Sequence, residues 1–197
     1  MSKTRERTRQ VRGSRDPGHT RARAPAPAAA TERRNAEEAF LLGHEPKGGA
    51  AAYAEYINSV VNATPLKRVE IERRGVPGLF LRVLSKHLGL PATRTYEILG
   101  VRKSTAASKA LAGRFVAGTG GQAAVGMIRL LGIAEGIIAN STAEAAAGFD
   151  AAKWLGAWIE RPQPALGGRK PADLLDTPTG FEVVAKLLGS LESGAYQ

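Results

Sequence analysis

The sequence predicts an all-α fold. Three observations carry that expectation. Apolar residues recur at helical spacing in one stretch after another, no stretch alternates convincingly as a strand, and Gly, Pro, Ser, Thr and Asp stand where helices start and stop. The first stretch is 50–63, where Tyr53, Tyr56, Ile57, Val60 and Val61 share a helical face. Thr64-Pro65 ends it, because the residue before a proline avoids the α region. The next segment divides at Gly75, Gly89 and Gly100. Leu79, Val83, Leu84 and Leu88 give its main helix one apolar face. Short helices are expected at 93–99, with Tyr96 and Leu99 inward, and at 104–111.

The longest periodic stretch is 122–139. Ala124, Ile128, Leu131, Ala134 and Ile138 form a stripe that Val125, Ile133 and Ile137 widen, which is the signature of a core helix. A break with a short helical turn follows over 140–149. Asp150 then caps a helix running to Ile159, with Pro162 beyond its end. Thr177 caps the last helix with Pro178 at its first position, and Val184, Leu187, Leu188 and Leu191 mark its buried side.

At 197 residues with 43% hydrophobic content, the chain can bury a real core in one or two domains. It has no cysteine, which excludes disulfides and thiolate metal sites. Its histidines, His19, His44 and His87, are far apart, and a lone His87 on an amphipathic helix reads as a surface or core residue. No unbroken apolar run approaches the ~20 residues of a bilayer span. The N-terminus lacks the apolar region of a secretory signal, so the cytoplasm is expected.

The net charge of +10 is unevenly placed. Residues 1–34 hold ten Lys/Arg against three acids, and 65–114 hold eleven against three. Residues 35–64 and 115–197 are mildly acidic. The first block is rich in Arg, Pro and Ala and poor in large apolar residues, so it reads as a disordered basic tail. The second reads as a surface for a polyanion.

Within that second block, three short helices split by glycine turns point to a helix-turn-helix unit. The pair is PATRTYEIL and STAASKAL joined by GVRK, with Gly100 in the sharp turn, Val101 plugging the junction, and Leu99 and Leu111 as anchors. The recognition helix then presents Lys103, Ser104, Thr105, Ser108 and Lys109 to bases and phosphates, while Arg94, Thr95 and Arg102 hold the flanking backbone. Three packed amphipathic helices with a solvated basic rim are the plainer alternative.

Gly118-x-Gly120-x-x-Ala123 resembles a dinucleotide fingerprint, and Phe115-Val116-Ala117 passes for a strand. The fingerprint needs a βαβ unit and an acid on a second strand about twenty residues on. Neither is visible, so these glycines are expected to form a hinge between the basic block and the C-terminal part.

From Asp150 onward lie Trp154-Leu155, Pro162, Ala165-Leu166-Gly167-Gly168, Pro171, Leu174-Leu175, Thr177, Gly180, Val184, Leu188, Gly194 and Tyr196. In order and spacing these residues resemble the toxin-binding domain of Xre/MbcA/ParS-type antitoxins, and the basic block resembles that family's Xre-like helix-turn-helix. The resemblance covers roughly 66–196. It implies a type II antitoxin that neutralises a RES-type, NAD⁺-degrading toxin by covering its active site and represses its own operon by binding double-stranded DNA. It implies no enzymatic activity and no cofactor of its own. Trp154, Leu166, Gly167, Gly168, Arg169, Lys170, Pro171 and Tyr196 are the candidate toxin contacts. Trp154, Leu166, Leu174 and Leu175 also fit plain core positions.

Self-association as a homodimer is expected, because one helix-turn-helix covers only a half-site. The expected domains are a tail at 1–34, a DNA-binding part at 35–115, and a helical linker with the toxin-binding domain at 116–197. A stand-alone transcriptional regulator with another protein partner is the main alternative, and a nucleotide-dependent enzyme built on 118–123 a second.

Overall fold

A computed structural model describes residue 40, residues 49–140 and residues 148–191. The described residues are all-α apart from one minimal ribbon. In chain order they form α1 (Gly49–Val61), α2 (Pro65–Arg74), β1 (Val76–Pro77), α3 (Gly78–Leu88), α4 (Ala92–Ile98), α5 (Lys103–Leu111), β2 (Phe115–Val116), α6 (Gly118–Ala139), α7 (Ala151–Ile159) and α8 (Pro178–Ser190). Two 3₁₀ turns, Pro164–Leu166 and Pro171–Leu174, lie between α7 and α8.

Helix α6 is the axis, and α1, α2, α7 and α8 pack around it. Helix α3 is a second centre, holding α4, α5 and α7. Buried residues from both groups make one continuous core that includes Phe80, Leu84, Ile128, Leu131, Leu155 and Val184. The boundary expected between 115 and 116 falls inside β2. The basic tail and the break at 141–147 lie outside the described residues. By length and composition α6 is apolar enough to cross a membrane. Its apolar side is instead covered by its neighbours: Ala124, Ile128, Leu131 and Ala134 are buried as the stripe predicts, and Ile133 and Ile137 pack at the rim.

Two features differ from the sequence expectation. Helix α2 has no counterpart in the apolar periodicity, because it is polar almost throughout and buries only Ile71. Its signals are local: Thr64 accepts a hydrogen bond from the Lys67 N–H at 3.3 Å, Pro65 opens it, and Gly75 at φ +88° closes it. The antiparallel ribbon pairs Val76 with Val116 and Pro77 with Phe115, and is too short for any alternation to show.

Gly120 and Gly121 are also packed rather than hinge-like. Gly120 and Gly121 are buried, and a Cβ on Gly120 would strike Val101 while one on Gly121 would strike the Val116 carbonyl. They let the first turn of α6 sit directly on the α4–α5 turn and on β2.

Helix α8 starts as its sequence predicts, with the Thr177 hydroxyl accepting from the Gly180 N–H at 3.1 Å. Thr177→Ala removes that cap and is expected to cost about 1 kcal/mol, a fall in Tm of roughly 2–4 °C. A thermal melt with no shift would show the cap to be idle.

Candidate DNA-facing and partner-facing surfaces

Helices α4 and α5 are joined by a sharp glycine turn. Gly100 takes φ +63°, its N–H donates to the Glu97 carbonyl at 3.0 Å, and the Val101 N–H donates to the Tyr96 carbonyl at 2.8 Å. Val101 turns inward against Gly120. Helix α5 lies very close to α3: a Cβ on Gly78 would be 2.6 Å from the Ala110 nitrogen. Only small residues fit under such an approach, which is why Ala106 and Ala110 form the buried side of α5.

Leu99 is buried as an anchor, but Leu111 is not: it is 76% exposed, because the alanines already occupy the contact line. Arg102, Lys103, Ser104, Thr105 and Ser108 are exposed, and Lys109 is half-buried at the edge of the same surface. Arg102, Lys103, Lys109 and Arg114 make no ion pair among the described residues.

Two expected backbone contacts are corrected. Thr95 is fully buried and its hydroxyl donates to the Pro91 carbonyl at 3.4 Å, so it secures the first turn of α4 from inside. Arg94 turns away to Glu160 at the end of α7, with Nε 2.6 Å from Oε1. Its other nitrogens reach Glu97 at 3.3 Å and Asp173 at 4.0 Å. The sequence could not place a partner 66 residues away.

Glu160 also accepts from the Lys170 ammonium at 3.1 Å. The Arg94 hydrogen bond, then that of Lys170, holds its carboxyl below the ordinary carboxylate value against the opposing effect of burial. One half-buried carboxylate thus joins α4 to the corner that follows α7.

That corner is a closed loop. The Gln163 N–H donates to the Arg169 carbonyl and the Gly168 N–H returns to the Gln163 carbonyl, both at 3.0 Å. The Gly167 N–H donates to the Pro164 carbonyl at 2.9 Å. Gly167 and Gly168 take φ +64° and +80°, a region that L side chains rarely adopt. Among the described residues, no atom beyond the adjoining chain lies within 4 Å of where a Cβ on either would stand, so the space above them is open.

Arg169 is exposed and makes no ion pair among the described residues. Lys170 is tied to Glu160, Pro171 is buried, and Leu166 is half-buried against the core. Trp154 is also half-buried, stacked on Trp158 at 6.1 Å and beside the partly exposed Phe149 at 6.3 Å. Tyr196 lies outside the described residues.

A cleft of about 380 Å³ opens elsewhere, between α2, α6 and the start of α8. Glu72, Asp176 and Glu182 line it, and Arg129 lies 4.3 Å over the Phe181 ring while pairing with Glu182 at 3.5 Å. His87 stacks flat on Tyr53 at 3.6 Å, and burial holds its pKa below the ordinary value. Among the described residues no group of three His, Cys, Asp or Glu is placed to hold a metal.

Fold and surfaces together define a class: a helical binding protein that joins a cationic pair of short helices to an exposed, internally bonded corner. Residues 144–194 match the model of the antitoxin Xre/MbcA/ParS C-terminal toxin-binding domain. The chain is also 30% identical over 138 residues to a Prs ADP-ribosylating antitoxin of Sphingobium sp. (strain YBL2), across 70% of this chain and 86% of that relative. No solved structure matches it significantly. The chain belongs to the Xre/MbcA/ParS antitoxin family, and its C-terminal domain implies a toxin partner.

Proposed function

We propose that the protein is a cytoplasmic, non-enzymatic type II antitoxin with two working surfaces. The part within 35–115 binds the operator of its own operon through α5. The part within 116–197 covers the active site of an NAD⁺-consuming, RES-type toxin with the 163–170 corner, aided by Trp154 and the C-terminal Tyr196. A homodimer presents two α5 helices to two half-sites.

The observation that carries the toxin half is the corner itself. Hydrogen bonds across the loop fix its shape, two glycines leave its backbone bare, and Arg169 projects without an ion pair among the described residues. A loop already in its bound shape loses little entropy on docking, and a bare backbone admits close approach by a partner's cleft. The relative's name carries ADP-ribosylation, a chemistry that consumes NAD⁺. The DNA half is supported by the four cations around α5, which with four phosphate contacts give a log K against log salt slope of about −4 per chain.

The test uses the protein co-purified with a RES-type toxin. Wild type should stop NAD⁺ loss. Arg169→Glu should leave much of that loss in place while duplex DNA is bound as before. Full protection by the variant would remove the loop from the interface.

A further inference from the structure

One exposed row of α5 lacks the long side chains that read purines and ends in an apolar residue. Ser104, Ala107, Ser108 and Leu111 follow one another at helical spacing and are all exposed. None is Arg, Lys, Asn or Gln, the residues that contact guanine or adenine edges. The Ser108 hydroxyl donates to its own helix, at the Thr105 carbonyl 3.1 Å away, so its proton is engaged. The apolar part of this row is the Ala107 methyl and a leucine that is 76% exposed.

A single exposed leucine is ordinary on a protein surface. Leu111 differs through its surroundings, because Arg102, Lys103, Lys109 and Arg114 flank the same helix and none has an ion pair among the described residues. That much positive charge favours a polyanion over an apolar protein partner or a second copy of the same cationic face. The helix has nine residues, about 13 Å end to end. The major groove, about 12 Å wide, admits a helix about 10–12 Å across, so α5 can lie along it.

In the major groove, the apolar feature of a base edge is the thymine 5-methyl group. We propose that Leu111, with Ala107, is a specificity-determining contact to thymine methyls, so that the operator is read in part at its T·A pairs. This rests on the DNA-binding half of the reading above and adds the chemical class of the bases.

The test begins with the full-length chain and a random duplex pool, from which bound sequences are enriched. The winning duplex is then remade with deoxyuridine in place of thymidine, which deletes only the methyl groups. Affinity is measured by fluorescence anisotropy at fixed salt. It should fall about fourfold for each methyl in contact. Leu111→Ala should bind the thymidine duplex more weakly and lose most of its preference over the deoxyuridine one. An enriched duplex that binds equally well with uracil overturns the inference while leaving DNA binding intact. Failure to enrich any duplex over a scrambled control overturns the DNA-binding reading and this inference with it. Conversion of a dimer to a monomer by Leu111→Ala, seen by sedimentation, would assign the leucine to a subunit contact instead.

Discussion

Gly156→Ala should destabilise the protein by about 3 kcal/mol or more. A methyl at Gly156 on α7 would overlap the Leu88 carbonyl oxygen at the end of α3. Both sides of that contact are backbone, held by their own helices, so no side chain can swing aside. Gly180→Ala should behave alike, since its methyl would overlap the Leu174 carbonyl oxygen between the second 3₁₀ turn and α8. Gly136→Ala is the opposite case. Gly136 lies within α6, and among the described residues no atom outside its own helix turn lies within 4 Å of where its methyl would stand. There the same substitution should stabilise by roughly 0.5–1 kcal/mol, because alanine favours a helix more than glycine does. Urea unfolding of the variants gives the comparison. Equal effects at 156 and 136 would mean that the α3–α7 approach is not a rigid contact.

Glu160→Gln should have the next largest effect. It keeps the shape of the side chain and removes the charge that Arg94 and Lys170 share. The carboxylate and Arg94 are only part-exposed, at 23% and 34%. The pair therefore lies between surface pairs and buried ones, and the loss should be about 1–2 kcal/mol. The pH dependence has a definite sign. The Glu160 carboxyl is held below its ordinary 4.5, mainly by the Arg94 hydrogen bond. Its contribution is therefore complete above that value and is lost as pH falls through the lower folded value. Wild type should lose this increment on acidification, and Glu160→Gln should lack it throughout. Under the proposed docking of the 163–170 corner on a toxin, binding should also weaken by about tenfold, or 1.4 kcal/mol, as the base of that corner loosens. Matching unfolding midpoints for wild type and variant at both neutral and acidic pH would show that this link does no work.

Much of the fold is legible in the sequence because its signals are local. The caps Asp150 and Thr177, the breaks at Gly75, Gly89 and Gly100, and the α6 stripe each operate within a few residues, and the structure repeats them. The polar helix α2 escapes such a reading because its burial amounts to one isoleucine, leaving no periodicity to find. The glycines at 120 and 121 read as a hinge in the sequence, since chain flexibility and close packing call for the same residue. Their partners Val101 and Val116 become neighbours only in the folded chain.

The candidate surfaces divide in the same way. The sequence alone determined an all-α chain, a cationic pair of short helices and a glycine corner, because spacing, charge and φ preference are properties of short segments. The tertiary structure alone decided that Thr95 is interior, that Leu111 faces outward and that Arg94 belongs to Glu160. The physical reason is that burial and ion pairing depend on what lies across a gap in space. Sequence order does not encode that gap until α3, α5 and α7 have packed together.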